Sequence, residues 1–231
     1  QGITDILISG ATTVPAKGGS TAAGIGSGNG SNGSTIINIE GGTITAEGGG
    51  KENGSCQASG AGIGSGGNAL NKTTINIKGG EITATGGVSL DSRNHSDKWL
   101  SGAGIGSGSN VTGAPEFNIS GDRTIKSASG GKYGAAGVGS GSYSGSTPDS
   151  KKGAVTINIT GGNIEKATGG GEYVSSSKRW YSGAGIGAGL NAGTTTINIK
   201  DNAHIVSATG GKYGGAGIGS GSSDTKNNSK K

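Results

Sequence analysis

Thr74-Ile75-Asn76-Ile77-Lys78-Gly79-Gly80-Glu81-Ile82-Thr83-Ala84-Thr85-Gly86-Gly87 is the stretch that decides the architecture. In Ile75-Asn76-Ile77 apolar and polar residues alternate, the period of a half-buried strand. Ile82-Thr83-Ala84 alternates in the same way, and each run stops at a Gly-Gly pair. Relatives of this motif begin near Asp5, Thr35, Phe117, Thr156 and Thr196. After each copy, at a variable distance, comes a second motif. Gly60-Ala61-Gly62-Ile63-Gly64-Ser65-Gly66 recurs as Gly102 to Gly108 and, with changes, as Gly183 to Gly189. Looser copies are Ala22 to Gly28, Ala135 to Gly141 and Gly215 to Gly221. Six units of unequal length therefore cover residues 4 to 221, the signature of a repeat architecture.

Each unit reads as three short strands. The inward pairs of the first strand are Ile6/Ile8, Ile37/Ile39, Ile75/Ile77, Phe117/Ile119, Ile157/Ile159 and Ile197/Ile199. In the second strand Val14/Ala16, Ile44/Ala46 and Ile82/Ala84 point inward. The last three units carry one extra residue here (Ile125 to Ala128, Ile164 to Ala167, Ile205 to Ala208), which reads as a bulge. In the third strand Ala61 and Ile63 point inward and the glycines between them outward. A helix is excluded, because each interior Gly would cost about 1 kcal/mol. No single unit can bury its own apolar face, whereas stacked units build one continuous core. The expected fold is all-β: a single-stranded parallel β-helix, or β-solenoid, of six three-strand coils. Stacked at about 4.8 Å they make a rod roughly 29 Å long. Right-handed crossovers dominate parallel sheets, so a right-handed winding is expected. Both Gly-Gly pairs are expected to supply positive-φ corners. The β-helix occupies residues 1–221, and residues 222–231 form a polar C-terminal tail.

Composition narrows the function. Of 231 residues 55 are Gly, only 29% are hydrophobic and one is Cys. One Cys cannot make a disulfide framework or a thiolate zinc site, and Cys56 is a lone loop thiol. No apolar run is long enough for a membrane-spanning helix. The chain starts at Gln1 without a signal-type apolar stretch, which suggests a piece excised from a longer chain. The net charge of +5 includes Lys226, Lys230 and Lys231 of the tail, too little for a nucleic-acid-binding stripe.

The pattern TINI-GG-ITATGG followed by GAGIGSG resembles the Gly-rich parallel β-helix segments of large surface proteins from Clostridia-like gut and rumen bacteria. More distantly it is similar to the carbohydrate-binding β-helix modules of clostridial surface proteins. The resemblance covers nearly the whole chain. It implies an extracellular, cell-surface location, and it speaks to architecture more than activity, since β-helices host enzymes, adhesins and fibres alike.

Three columns carry the functional reading. Asn38, Asn76, Asn118, Asn158 and Asn198 hold one outward position, with Leu7 in the first unit. They suit either an amide ladder that fixes register or direct ligand contact. Gly62, Gly64 and Gly66 leave the third strand nearly bare, either for close backbone packing or as a docking face for a flat partner. The aromatics gather in one connection, between the second and third strands: Trp99, Tyr133, Tyr173, Trp180, Tyr181 and Tyr213. Four follow a cation directly, as Lys98-Trp99, Lys132-Tyr133, Arg179-Trp180 and Lys212-Tyr213. This connection varies most in length, being long at Gly50 to Ser59, Val88 to Ser101 and Gly171 to Ser182, and variable loops on a rigid scaffold are where binding concentrates. Aromatic rings beside cations fit a sugar face or single-stranded nucleic acid; equally, they cover the Gly-rich strand.

Catalysis has little support. The acids are scattered, with none paired along the first strand's outer column. Asp91, His95 and Asp97 share a loop and make the one conceivable metal set, more simply a solvated loop, while His204 has no partner at readable spacing. GxGxxG at Gly62, Gly64 and Gly67 lacks the following helix that a dinucleotide site needs. The leading expectation is a non-catalytic surface module without cofactor or metal. It binds a polysaccharide or glycoprotein glycan through Lys98, Trp99, Lys132, Tyr133, Arg179, Trp180, Tyr181, Lys212 and Tyr213. It has no nucleic-acid or membrane-inserting role, and its other expected partners are neighbouring domains of a longer chain or further copies of itself. The alternatives are a polysaccharide-active enzyme module and a purely structural stalk.

Overall fold

The computed structural model describes residues 2–51, 58–91, 98–122, 124–144, 149–174 and 179–222. Of Asp91, Lys98 and Asp149 it describes the backbone alone. The described residues form strands, one 3-10 turn at Asp149–Lys151 and no α-helix. The first strands of successive units lie parallel and in the register that the repeat alignment requires: Ile6 beside Ile37, Ile37 beside Ile75, Ile75 beside Phe117, Phe117 beside Ile157 and Ile157 beside Ile197. The chain is a parallel β-solenoid.

Its inward residues form one buried cluster running through the stack, in which Ile77, Ile119 and Ile159 make one column and Ile63, Ile105, Val138 and Ile186 another. The end coils lack one neighbour, so Ile6, Ile8, Ile197 and Ile205 are only partly buried. The extra residue of the fourth unit is a bulge, with Ile125 beside Ile82 and Ser127 already beside Thr83. In the fifth and sixth units the same insertion splits the strand, into Asn163–Ile164 with Ala167–Thr168 and His204–Ile205 with Ala208–Thr209.

Two sheets run the length of the stack where three were expected. First and second strands share one 12-stranded sheet, because Ser34–Glu47 and Thr73–Thr85 pass through their Gly-Gly pairs without a break. Gly42 and Gly80 bend the strand at φ of +93° and +94°. The second Gly-Gly pair needs no positive φ, contrary to expectation. A Cβ on Gly86 would stand 1.8 Å from the Gly102 carbonyl oxygen, so closeness of backbones selects glycine there.

The third strands, Ile25–Gly26 to Ile218–Gly219, form a six-stranded sheet only two residues wide. Each is the crown of a tight arch. The Ala61 N–H donates to the Ser65 carbonyl (3.0 Å), and the same bond closes Ala103 to Ser107 and Ala136 to Ser140. The glycines of the internal arches are buried rather than bare to solvent. A Cβ on Gly62 would lie 2.8 Å from the Thr85 backbone, so the arch rests directly on the end of the second strand. That excludes the docking face and selects close packing. The buried arch serines join successive coils. Ser27, Ser65, Ser107 and Ser140 each accept, through Oγ, the N–H of Gly66, Gly108, Gly141 and Gly189 in the following coil.

On the outer face the asparagines form the ladder. Each Nδ2 donates to the Oδ1 one coil earlier, at 2.9 Å for Asn76 to Asn38, 3.0 Å for Asn118 to Asn76, 2.9 Å for Asn158 to Asn118 and 2.8 Å for Asn198 to Asn158. Leu7 cannot continue it, and Asn38 Nδ2 ends on Asp5 Oδ1 (3.2 Å).

Tyr143 is the largest fully buried side chain, and its hydroxyl donates to the Val111 carbonyl at 2.5 Å. Burial raises its pKa above the ordinary tyrosine value, outweighing the Gly153 backbone N–H that acts to lower it. The neutral form is favoured in the folded state, so its stabilisation is present below the unfolded pKa of about 10 and is lost as pH rises above it. Unfolding titrations should show a steeper loss of stability above about pH 10 in the wild type than in Tyr143→Phe. Parallel curves would refute this role for Tyr143.

Candidate functional site

The long connections of the third and fifth units, expected as variable loops, are hairpins. Val88–Asp91 pairs antiparallel with Lys98–Ser101, and Gly171–Val174 with Arg179–Ser182. Period-two alternation sends their residues to opposite faces. Tyr173 stands opposite Trp180 on one face of the second hairpin, while Val174 and Tyr181 turn to the other and are buried.

The aromatic residues gather along one edge, as their shared place in the repeat implies, and they divide into two groups. In the inner group the Trp99 and Tyr133 rings meet edge to face at 4.6 Å and 68°, and Tyr133 and Tyr181 at 6.0 Å and 69°. Tyr133 and Tyr181 are buried with Val174 and Leu190, and Val88 and Trp99 pack against them. Trp99 Nε1 is buried with no partner among the described residues. In the outer group Trp180 lies 4.1 Å from Tyr173 and 4.3 Å from Tyr213, the planes tilted by 35° and 49°. These three rings are half-buried. Of the residues expected at a binding edge, Tyr133 and Tyr181 are buried. The inner rings turn edge to face, the arrangement their quadrupoles favour, and Tyr133 and Tyr181 present no free face.

The cations sit at the rim. Lys132 Nζ is 5.0 Å from the Tyr133 ring centre and Lys212 Nζ 5.4 Å from that of Tyr213, both within cation–π range. Arg179 is half-buried and pairs with Val174, on the hairpin face away from Tyr173 and Trp180. The Lys98 backbone pairs with Asp91, and its side chain lies outside the described residues. Cys56, His95 and Asp97 also lie outside them. Among the described residues no three His, Cys, Asp or Glu side chains group around a metal position. His204 does have a partner, Asn163 Oδ1 at 3.0 Å in the preceding coil.

One feature escaped the sequence reading. At the bend between first and second strands lies an open groove of about 500 Å³. It is lined by Glu40, Glu81 and Asp122 from three successive coils, with Thr12, Thr43 and Thr124 among its other walls. Glu81 and Asp122 directly follow the positive-φ glycines Gly80 and Gly121, and Glu40 precedes the Gly41-Gly42 pair, positions where the strand alternation gives no guide to direction. Lys78 lies 3.8 Å from Glu40 and Lys126 3.9 Å from Glu81.

The stacked coils define a parallel β-helix. Residues 37–67, 75–109 and 157–190 each match a family model described as a beta helix repeat. Each matched segment runs from a first strand to the arch that closes the same unit. No curated protein and no solved structure matches the chain.

Proposed function

We propose that the chain is a non-catalytic, extracellular β-helix module of a bacterial surface protein that binds polysaccharide or the glycan of a glycoprotein. The observation that carries this reading is the outer aromatic group. Tyr173, Trp180 and Tyr213 are half-buried rings on one edge of a rigid rod, with Lys212 Nζ over the Tyr213 ring. An extended glycan lying along that edge would place an apolar sugar face on a ring and its hydroxyls or carboxylates on that cation. The inner group supports the platform: Trp99, Tyr133 and Tyr181 hold the hairpins against the coils.

The test is affinity for a panel of immobilised polysaccharides. Losing a stacked ring costs about 1–3 kcal/mol by analogy with base stacking. The double variant Trp180→Ala, Tyr213→Ala should bind the best ligand at least tenfold more weakly while melting close to the wild type. A double variant with wild-type affinity would remove the outer group as the site. The buried inner group favours a second reading, a structural stalk. On that reading no glycan binds, and Trp99→Ala, Tyr133→Ala lowers the melting temperature without any effect on ligand.

A further inference from the structure

An asparagine followed by glycine is chemically labile, because glycine has no Cβ to shield its backbone nitrogen from the asparagine side chain. The chain has three such pairs, Asn29-Gly30, Asn32-Gly33 and Asn53-Gly54. The third lies outside the described residues. The first two share the connection between the first arch and the strand Ser34–Glu47, and both asparagines are exposed. In sequence the two are equals. In the fold they are not. Gly30 sits in a turn at φ of +61°, and its N–H donates to the Gly67 carbonyl at 2.8 Å. Asn29 Oδ1 accepts a hydrogen bond from Asn68 Nδ2 at 3.2 Å. The glycine nitrogen and the asparagine amide of this pair are thus both engaged one coil further on.

The Asn32-Gly33 pair is anchored on either side of its reactive groups but not at them. The Ser31 carbonyl accepts the Leu70 N–H at 2.9 Å, and the Thr35 N–H donates to the Lys72 carbonyl at 3.2 Å. The Asn32 carbonyl accepts Asn71 Nδ2, and the Gly33 carbonyl accepts the Ser31 hydroxyl at 3.4 Å. Between these bonds, the Gly33 N–H and the Asn32 side-chain amide have no partner among the described residues.

We infer that Asn32 is a site of spontaneous modification, converted with water to aspartate and isoaspartate, and that its neighbour Asn29 is protected by its bonds to the next coil. The Gly33 nitrogen gives up its proton to base and attacks Asn32 Cγ. The new N–Cγ bond closes a succinimide ring. The Cγ–Nδ2 bond breaks, and Nδ2 leaves as ammonia, taking a proton back from solvent. Water then opens the ring at either carbonyl. Opening at Cγ leaves an aspartate. Opening at the backbone carbonyl leaves isoaspartate, whose main chain runs through Cβ and Cγ. Both products add a negative charge to an exposed corner. Isoaspartate also lengthens that corner by one carbon just ahead of the second coil's first strand, and it turns the Asn71 acceptor from a backbone carbonyl into a free carboxylate. At Asn29 the same attack must first break the Gly30–Gly67 bond.

Incubation of the full chain in mildly alkaline buffer, folded and in urea, tests this. Tandem mass spectrometry of the peptide that carries both asparagines assigns the mass gain of an amide exchanged for an acid, and chromatography separates the aspartate and isoaspartate forms. Each residue's rate in urea is its own reference. Folding should slow Asn29 at least tenfold, since its bonded glycine amide must open before it can attack. Asn32 should convert in the folded chain at close to its rate in urea, with isoaspartate among its products. Asn32→Gln should abolish the gain at that position, because glutamine closes its larger ring far more slowly. The wild-type comparison needs no variant to fold. Equal protection of the two asparagines overturns the inference, as does faster conversion at Asn29. Conversion of Asn32 without any isoaspartate overturns the succinimide route.

Discussion

Ile105→Asp should abolish the cooperative fold. Ile105 is 0% exposed and stands in its column between Ile63 and Val138. The core cluster around it contains only aliphatic side chains and Phe117, so a carboxylate would find no cation there. An uncompensated buried charge costs about 3–5 kcal/mol, and taking up a proton still leaves a polar group without partners. That approaches the whole stability of many domains, about 5–15 kcal/mol. In a stack each coil is held only by its neighbours, so a defect in the third coil separates the two halves of the core. Circular dichroism should lose the strand signal, or the melting midpoint should fall by more than about 10 °C, the shift that a few kcal/mol produces. Ile218→Asp in the same column should be much milder, because Ile218 is half-exposed at the end of the stack. An unchanged midpoint for Ile105→Asp would show that the residue does not occupy this column.

Gly106→Ala should be nearly as damaging, for a backbone reason. Gly106 has φ of +145°, and a Cβ there would stand 1.8 Å from the Gly139 carbonyl oxygen of the next coil. That carbonyl cannot simply turn aside, because it accepts the Ser107 N–H at 3.0 Å. Backbone strain alone costs about 1–3 kcal/mol, and the overlap forces two coils apart in addition. Two other glycines separate these causes. Gly214 has φ of +98° with nothing near its Cβ position, so Gly214→Ala should cost only the strain. Gly19 has open space and no positive φ, and Gly19→Ala should be close to neutral. Urea midpoints should rank the three in that order. A Gly106→Ala variant as stable as Gly19→Ala would refute the arch geometry.

The core was legible because period-two alternation and strict repetition act together. Ile75-Asn76-Ile77 says which side chains point inward, and its copies say what they stack upon. The bulge at Ile125 to Ala128 was legible as a count of residues. The first bend was legible at Gly80, where positive φ demands glycine, but Gly86 looks the same in sequence and is glycine for another reason, the Gly102 carbonyl beside it. The burial of the arch was hidden because glycine has no side chain whose polarity could report which way it faces. The hairpins were hidden because strands of four residues, Val88–Asp91 and Gly171–Val174, are too short for alternation to stand out from a variable loop. Burial then divided the aromatic set, since Trp180 and Tyr181 are neighbours in sequence on opposite faces of one hairpin.

The ladder also determines how the rod would answer tension. Its asparagines are separated by 38, 42, 40 and 40 residues, and every bond between coils runs along the rod's axis. The first and last coils lie at opposite ends, so a pull applied through them loads the coil interfaces in series. The end coil, held on one side only, gives way first. Each release frees about 40 residues, roughly 140 Å of contour length at full extension. The rod would yield as a series of nearly equal extensions at modest force, with the length of one repeat as the size of each step.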